Sequence, residues 1–235
     1  MIQLKLKNLM IKIVISFIFS ALCLMLFSSC KTSNKNYSSV LKSIVEIKSA
    51  SNESTGYGTG FIISEDGEIL TCRHIVRHYD YQKKEYCLYD NIYVRFYNSE
   101  EFVEATVCNI SEEYDLATLK IDGFDKQKAL KIEKRNLSLG EEVYTIGNPN
   151  GFGLSFFNGY VSSPKRFVEI DDKNIETIQL NIEVSDGNSG GPVLNVNNIV
   201  IGIISFRLKD SKSQIINGLA YAIPSEKILD YIEKQ

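Results

Sequence analysis

Ser189 sits in "VSDGNSGGPV", residues 184–193, where three glycines surround one hydroxyl. Glycine inside a regular element costs roughly 0.5–1 kcal/mol against alanine, so the cluster points to a backbone geometry that chemistry requires and packing does not. A serine hydroxyl is a weak nucleophile until a base removes its proton. The chain has two histidines, His74 and His78. His74 follows "GTGFIISEDGEIL", which reads as two strands joined at the turn Glu65-Asp66-Gly67, and it stands at a strand end beside Ile75 and Val76. His78 lies at the start of "RHYDYQKKEYCLYD", a polar, tyrosine-rich stretch that reads as a loop. His74 is the better-held imidazole and the candidate base. A carboxylate must then hold its tautomer. Asp115 opens "DLATLKI", and strand alternation puts it on one face with Ala117, Leu119 and Ile121. A carboxylate at the head of an apolar face needs a partner, and an imidazolium would serve.

Chain order separates the possible architectures. "GNSGG" also satisfies the G-x-S-x-G elbow of the α/β-hydrolases, but that fold needs its histidine after the serine, and none follows Ser189. A subtilisin-like order needs an aspartate before His74, and Asp66 sits in a turn. The order His74, Asp115, Ser189 is that of two-barrel chymotrypsin-type enzymes.

The elements that must position these residues are short. Runs rich in Ile, Val, Tyr and Phe recur between Gly, Asn and Asp, which predicts an all-β protein. With 235 residues there is enough chain for one large domain or two small ones. A formal net charge of -3 offers no basic surface to nucleic acid. Two histidines and no CxxC pair argue against a zinc site.

The combined motifs resemble the trypsin-like serine peptidases of the HtrA (DegP-like) group. "GYGTGFIISEDGEILTCRHIV" is similar to that group's glycine-rich strand and histidine motif, and "YDLATLKI" to its aspartate strand. "VYTIGNPNGFGLSFFNGYVSS", "IQLNIEVSDGNSGGPVLN" and "GLAYAIPSEKILDYI" resemble the opening of its second barrel, its serine loop and its closing strand and helix. The resemblance covers about residues 40–233 and takes in no PDZ segment, so capture of substrate C-termini by such a domain is not implied. It implies a chymotrypsin-like double β-barrel of two six-stranded barrels with a short C-terminal helix. The N-terminal barrel spans 40–125, a crossover 126–140, and the second barrel with its closing helix 141–235. Ser225 is read as that helix's N-cap, with Ile228, Leu229 and Ile232 on its apolar side.

It further implies that Ser189 is nucleophile, His74 proton shuttle and Asp115 its orienting carboxylate. The loop Gly187-Asn188-Ser189 makes the oxyanion hole, with the N–H groups of Gly187 and Ser189 converging; one such donor is worth about 2.7–4 kcal/mol. Two specificity pockets stay open. Glu183, six residues before the serine, would favour Lys or Arg from the pocket base. Alternatively Ile204, Ser205 and Phe206 of "IGIISF" line a small aliphatic pocket and Glu183 faces solvent.

The first thirty residues read as a signal peptide of lipoprotein type. Lys5, Lys7 and Lys12 precede the uncharged "IVISFIFSALCLMLFSSC", whose end resembles a lipobox with Cys30 as the acylated first mature residue. An ordinary signal peptide or an uncleaved anchor is the alternative. Residues 31–39 would tether the peptidase to a membrane on the periplasmic or surface side. Cys72, Cys87 and Cys108 remain, which allows one disulfide at most. The functional expectation is a serine endopeptidase acting on exported or misfolded polypeptides through an acyl-enzyme, without metal or organic cofactor. A catalytically silent binding protein, or a resting peptidase that a partner activates, is the alternative.

Overall fold

The computed structural model describes residues 10–20, 37–52, 54–123, 128–170, 173–208 and 215–235. The chain divides at residue 37 into two units. In the first, residues 10–20 form helix α1, whose Ile, Val and Phe side chains are exposed. Among the described residues no helix is long and apolar enough to cross a membrane. Cys30 and residues 31–36 of the expected tether lie outside the described residues. Residues 37–39 are not tether: Tyr37 packs edge-on against Tyr144 at 4.7 Å, and helix α2 (Ser38–Leu41) follows.

The second unit is all-β, as the short apolar runs predict. Its first half holds β1 (Ile44–Ala50), β2 (Thr55–Ile62), β3 (Ile69–Thr71), the one-turn helix α3 (Arg73–Val76), β4 (Arg77–Asp80), β5 (Glu85–Leu88), β6 (Asn91–Phe96), β7 (Val103–Glu104), β8 (Thr106–Ile110) and β9 (Ala117–Lys120). Seven of these strands pair antiparallel in the order β7-β6-β1-β2-β3-β9-β8. The two outermost, β7 and β8, are consecutive in the chain and separated by Ala105 alone. Ala105 N–H still donates to Ile92 O at 2.8 Å. Residues 103–110 are thus one bent run that pairs with β6 at its start and β9 at its end, and the covalent chain closes the barrel at Ala105. Counted this way, the expected six strands are present.

β4 and β5 form a separate hairpin, Arg77↔Leu88 to Asp80↔Glu85, where a loop was expected. Alternating side chains make it a ribbon: Tyr79, Tyr81 and Tyr86 cluster edge-to-face within 5.3 Å on one exposed side. His78 lies ring against ring with Tyr89 at 4.8 Å, a packing contact.

The second half is a closed barrel of β10 (Glu142–Gly147), β11 (Ser155–Ile170), β12 (Lys173–Leu180), β13 (Pro192–Asn195), β14 (Val200–Phe206) and β15 (Ala220–Pro224), in the order β10-β11-β12-β15-β14-β13. Its strands nearest the first barrel are apolar on both faces because both faces are buried. Val143, Val193, Ile201 and Ile204 point into the barrel, whereas Tyr144, Ile146, Leu194, Val200 and Ile203 join the core of the first barrel. The crossover is gripped from both sides: Leu130 N–H donates to Ile62 O, and Val200 N–H to Lys131 O.

Helix α4 (Ser225–Glu233) closes the unit. Ser225 is its first helical residue and not its cap. Pro224 holds the N-cap position, and the Ser225 hydroxyl donates instead to Glu133 O at 2.8 Å. The buried side is Ile228 and Tyr231, so Tyr231 takes the place expected of Leu229. Its hydroxyl donates to Asn109 O on β8 at 3.0 Å, and Ile228 and Tyr231 both belong to the first barrel's core.

Leu119 is fully buried on β9, opposite Ile69 and Val107. Leu119→Ala is expected to lower unfolding stability by about 2–5 kcal/mol, read as a lower urea midpoint at unchanged slope.

Candidate active site

His74 belongs to α3, the single helical turn directly after β3, rather than to the strand end itself. Asp115 lies just before β9, the neighbour of β3, so the two strands bring imidazole and carboxylate together. Asp115 Oδ1 accepts from the His74 backbone N–H at 3.0 Å, and Oδ2 stands 2.6 Å from His74 Nδ1. An ionised carboxylate only accepts, so Nδ1 carries the proton and Nε2 is left as the basic nitrogen. Burial works against the imidazolium, but the Asp115 charge and hydrogen bond outweigh it and raise the His74 pKa above 6.5. Burial likewise opposes the Asp115 carboxylate. The charge of His74, with hydrogen bonds from His74 and Ser205, overcomes it and holds the group below the usual carboxylate range.

Ser205 was expected as pocket lining, and the structure gives it more to do. The β14–β15 register slips between Ile204↔Ala222 and Phe206↔Tyr221, so Ser205 is the extra residue of a bulge. A bulge leaves backbone unpaired and re-aims the side chain. The Ser205 hydroxyl donates to Asp115 Oδ2 at 2.7 Å, and its carbonyl accepts from Ser189 Oγ at 2.9 Å. The Ser189 hydroxyl therefore bonds Ser205 O in this structure, while His74 and Ser189 line the same cleft. Catalytic hydrogen bonds commonly align only once substrate is bound.

The glycines of the serine loop serve close approach. Gly187 has φ +91°, and a Cβ on it would meet Asn148 O at 2.1 Å. Gly190 has φ +86°, and a Cβ there would meet Thr59 O at 2.0 Å. Asn188 N–H donates to Ser185 O at 3.1 Å, which with positive φ at Gly187 makes residues 185–188 a type II turn. Asn188 therefore contributes no free N–H to an oxyanion hole, contrary to expectation. Gly190 and Gly191 amides are also used, by Ile204 O and Asn188 O. The N–H groups of Gly187 and Ser189 have no acceptor among the described residues. The Asp186 carbonyl accepts from Asn150 N–H at 2.7 Å. In a trans peptide the carbonyl and the following N–H point opposite ways, so this bond turns the Gly187 N–H away from Asn150.

Thr59 on β2 went unnoticed in the sequence. It is fully buried, and its N–H donates to Ser189 O at 2.9 Å. Its hydroxyl donates to Gly187 O at 2.7 Å and accepts from Asn148 N–H at 2.9 Å. The signal was present as a threonine between Gly58 and Gly60, where a strand has given up two side chains.

Beside Ser189 opens a cleft of about 340 Å³, walled by Val184, Ile204, Phe206 and Ile215, with Ser185, Asp186 and Arg207 among its polar lining. Glu183 is not part of it. Ile182 and Val184 are buried and alternation sends Glu183 into solvent, so the acidic pocket is overturned. Ile204, Ser205 and Phe206 all line the cleft. Cys72, His74 and Asp115 bring three potential metal donors within 4.8 Å of one another. Two are committed to each other, and the Cys72 thiol donates to Ile204 O while burial raises its pKa. Cys72, Cys87 and Cys108 are all free thiols.

Residues 58–203 match the family model described as a trypsin-like peptidase domain. A probable periplasmic serine endoprotease, DegP-like, from Pseudomonas putida (strain W619) is 34% identical over 178 residues, covering 76% of this chain and 34% of that protein. Human serine protease HTRA4 is 31% identical over 179 residues, 74% of this chain and 34% of its own. The chain thus spans about a third of the length of these relatives. The crystal structure of a serine endoprotease from Yersinia pestis matches with a TM-score of 0.67 at 26% identity, over 86% of this chain and 65% of that one.

Thr59→Val keeps shape but removes the hydroxyl, leaving Gly187 O and Asn148 N–H unpaired in the interior. At ~1–3 kcal/mol for each buried unsatisfied group, the variant is expected to unfold at clearly lower urea and to hydrolyse peptides more slowly, its loop no longer held.

Proposed function

Because the chain belongs to the trypsin-like peptidase family, with DegP- and HtrA-type proteases among its relatives, we propose that it is a serine endopeptidase working through an acyl-enzyme. The observation that carries the reading is the run of contacts from Asp115 through His74 into the cleft that holds Ser189, beside two amides without acceptors among the described residues. Ser189 attacks the peptide carbonyl as His74 Nε2 takes its proton. The Gly187 and Ser189 N–H groups receive the oxyanion, and His74 returns the proton to the leaving amine. Asp115 holds the Nδ1 proton and steadies the imidazolium. Water then repeats the sequence on the ester. The side chain before the scissile bond enters the cleft walled by Val184, Ile204 and Ile215, which favours aliphatic residues.

Partner activation by rebuilding the oxyanion hole receives no support from the turn at 185–188, because the Asp186–Asn150 bond favours the formed orientation. The location we propose is extracytoplasmic. Support comes from the basic, then apolar, first thirty residues and from relatives named as periplasmic. Cys30 is the proposed lipid attachment, and the substrates are exported or misfolded polypeptides. Mass spectrometry of the mature N-terminal peptide is expected to find acylated Cys30; an unmodified start elsewhere would remove the lipid anchor.

Ser189→Ala and His74→Ala are expected to abolish hydrolysis of unfolded casein, and Ser189→Ala also to abolish fluorophosphonate labelling. Asp115→Asn should cost about 10⁴ in rate through the wrong tautomer. The base works only when neutral, and its pKa is raised, so kcat/KM should climb with pH through an inflection above 6.5. The same linkage stabilises the fold at mildly acid pH: the His74–Asp115 ion pair contributes fully between 3.8 and 6.5, is lost as pH rises through the raised His74 value, and is lost again as pH falls through the lowered Asp115 value.

A further inference from the structure

Asp186 stands one residue before the proposed oxyanion donor Gly187, a poor place for a negative charge if an oxyanion is to form there. Two contacts hold it. Its carbonyl takes Asn150 N–H, and its carboxylate Oδ1 takes Arg207 Nη2 at 2.5 Å. The Arg207 side chain is 17% exposed and lines the cleft, whereas the Asp186 side chain is 86% exposed. Arg207 follows directly after β14, two residues past the bulged Ser205, so the strand that sets the triad's hydrogen bonds also aims this arginine. Both partners line the cleft together with His74 and Ser189.

We propose that Arg207 is a positioning residue for the hydrolytic step, holding Asp186 and cancelling its charge beside the oxyanion turn. The inference rests on the serine-peptidase reading and deepens it. Uncompensated, the carboxylate would oppose the negative charge developing at the Gly187 amide and would favour the charged form of His74. The groups facing His74 are Asp115 and Asp186, which favour the imidazolium, Arg73, which opposes it, and the buried Cys72 thiol. Arg207 acts on this set only through Asp186. A pair with one exposed member is partly screened by solvent and salt, so its effect is moderate.

The test compares Arg207→Ala, Arg207→Lys, Asp186→Asn and the Arg207→Ala/Asp186→Asn double variant. It reads kcat and KM on an unfolded polypeptide and the imidazole titrations by NMR. The chain has only two histidines, and His78→Gln assigns the signals. Arg207→Ala should lower kcat about three- to tenfold at low salt with KM little changed, the gap narrowing in about 1 M salt. Its His74 should titrate higher than in the parent, and that of Asp186→Asn lower. The double variant should behave as Asp186→Asn, and Arg207→Lys should recover most of the loss. A double variant as slow as Arg207→Ala, or a change confined to KM, would overturn the proposal and make Arg207 a substrate contact. An active enzyme whose His74 titrates alike in every variant would overturn it alone. A parent chain that neither hydrolyses nor labels would overturn the peptidase reading and this inference with it.

Discussion

Everything at the cleft hangs on the hydrogen bonds of one buried threonine. Thr59 belongs to the first barrel, yet its N–H and hydroxyl hold the carbonyls of Ser189 and Gly187 in the second, and its hydroxyl also receives Asn148 N–H. Its own carbonyl accepts from Thr71 Oγ1 at 2.8 Å, on the strand that leads into the His74 turn. Four polar groups in a dry interior are satisfied around one side chain and its peptide. None can be lost without leaving another stranded, which makes the relative placement of His74 and Ser189 stiff. The glycines at 187 and 190 follow from this: backbone drawn so close to Asn148 O and Thr59 O has no space for a Cβ.

The barrels are joined by shared strand faces rather than by docking of two finished bodies. β10, β13 and β14 send alternate side chains to two different cores, so each is packed from both sides. That arrangement permits the bulge at Ser205. A strand braced on both faces can release one residue from its ladder and still hold the freed hydroxyl and carbonyl within hydrogen-bond reach of Asp115 and Ser189. Arg95 and Glu46 show the opposite use of the interior, a two-pronged ion pair at 3.1 and 2.9 Å that braces β1 against β6 without touching the cleft.

Much of the site was legible from local chemistry. A glycine-rich loop around one serine, a histidine after a strand and an aspartate heading an apolar face are signals of residue type and spacing, and their order along the chain named the architecture. What escaped depended on where side chains point. Glu183 was a plausible pocket floor by position, but strand alternation between two buried neighbours turned it outward. Ser205 read as lining because a bulge leaves no trace in composition. Thr59 looked like any strand threonine, since its partners in the second barrel are 89 to 130 residues away. The tyrosine-rich stretch read as loop because its charges mask a period of two, and Ser225 read as a cap because Pro224 had already stopped the strand. Each miss is tertiary context overriding a local preference.

The closing helix carries a consequence in time. Ile228 and Tyr231 complete the core of the first barrel, and Tyr231 reaches Asn109 across 122 positions of sequence. The first barrel cannot finish its interior while residues 225–233 are still unmade or unfolded. The strands β3 and β9 next to His74 and Asp115 gain their final support only when distant chain arrives, the costliest kind of contact to form first. A growing chain therefore presents no finished cleft until residues 225–233 have folded against the first barrel.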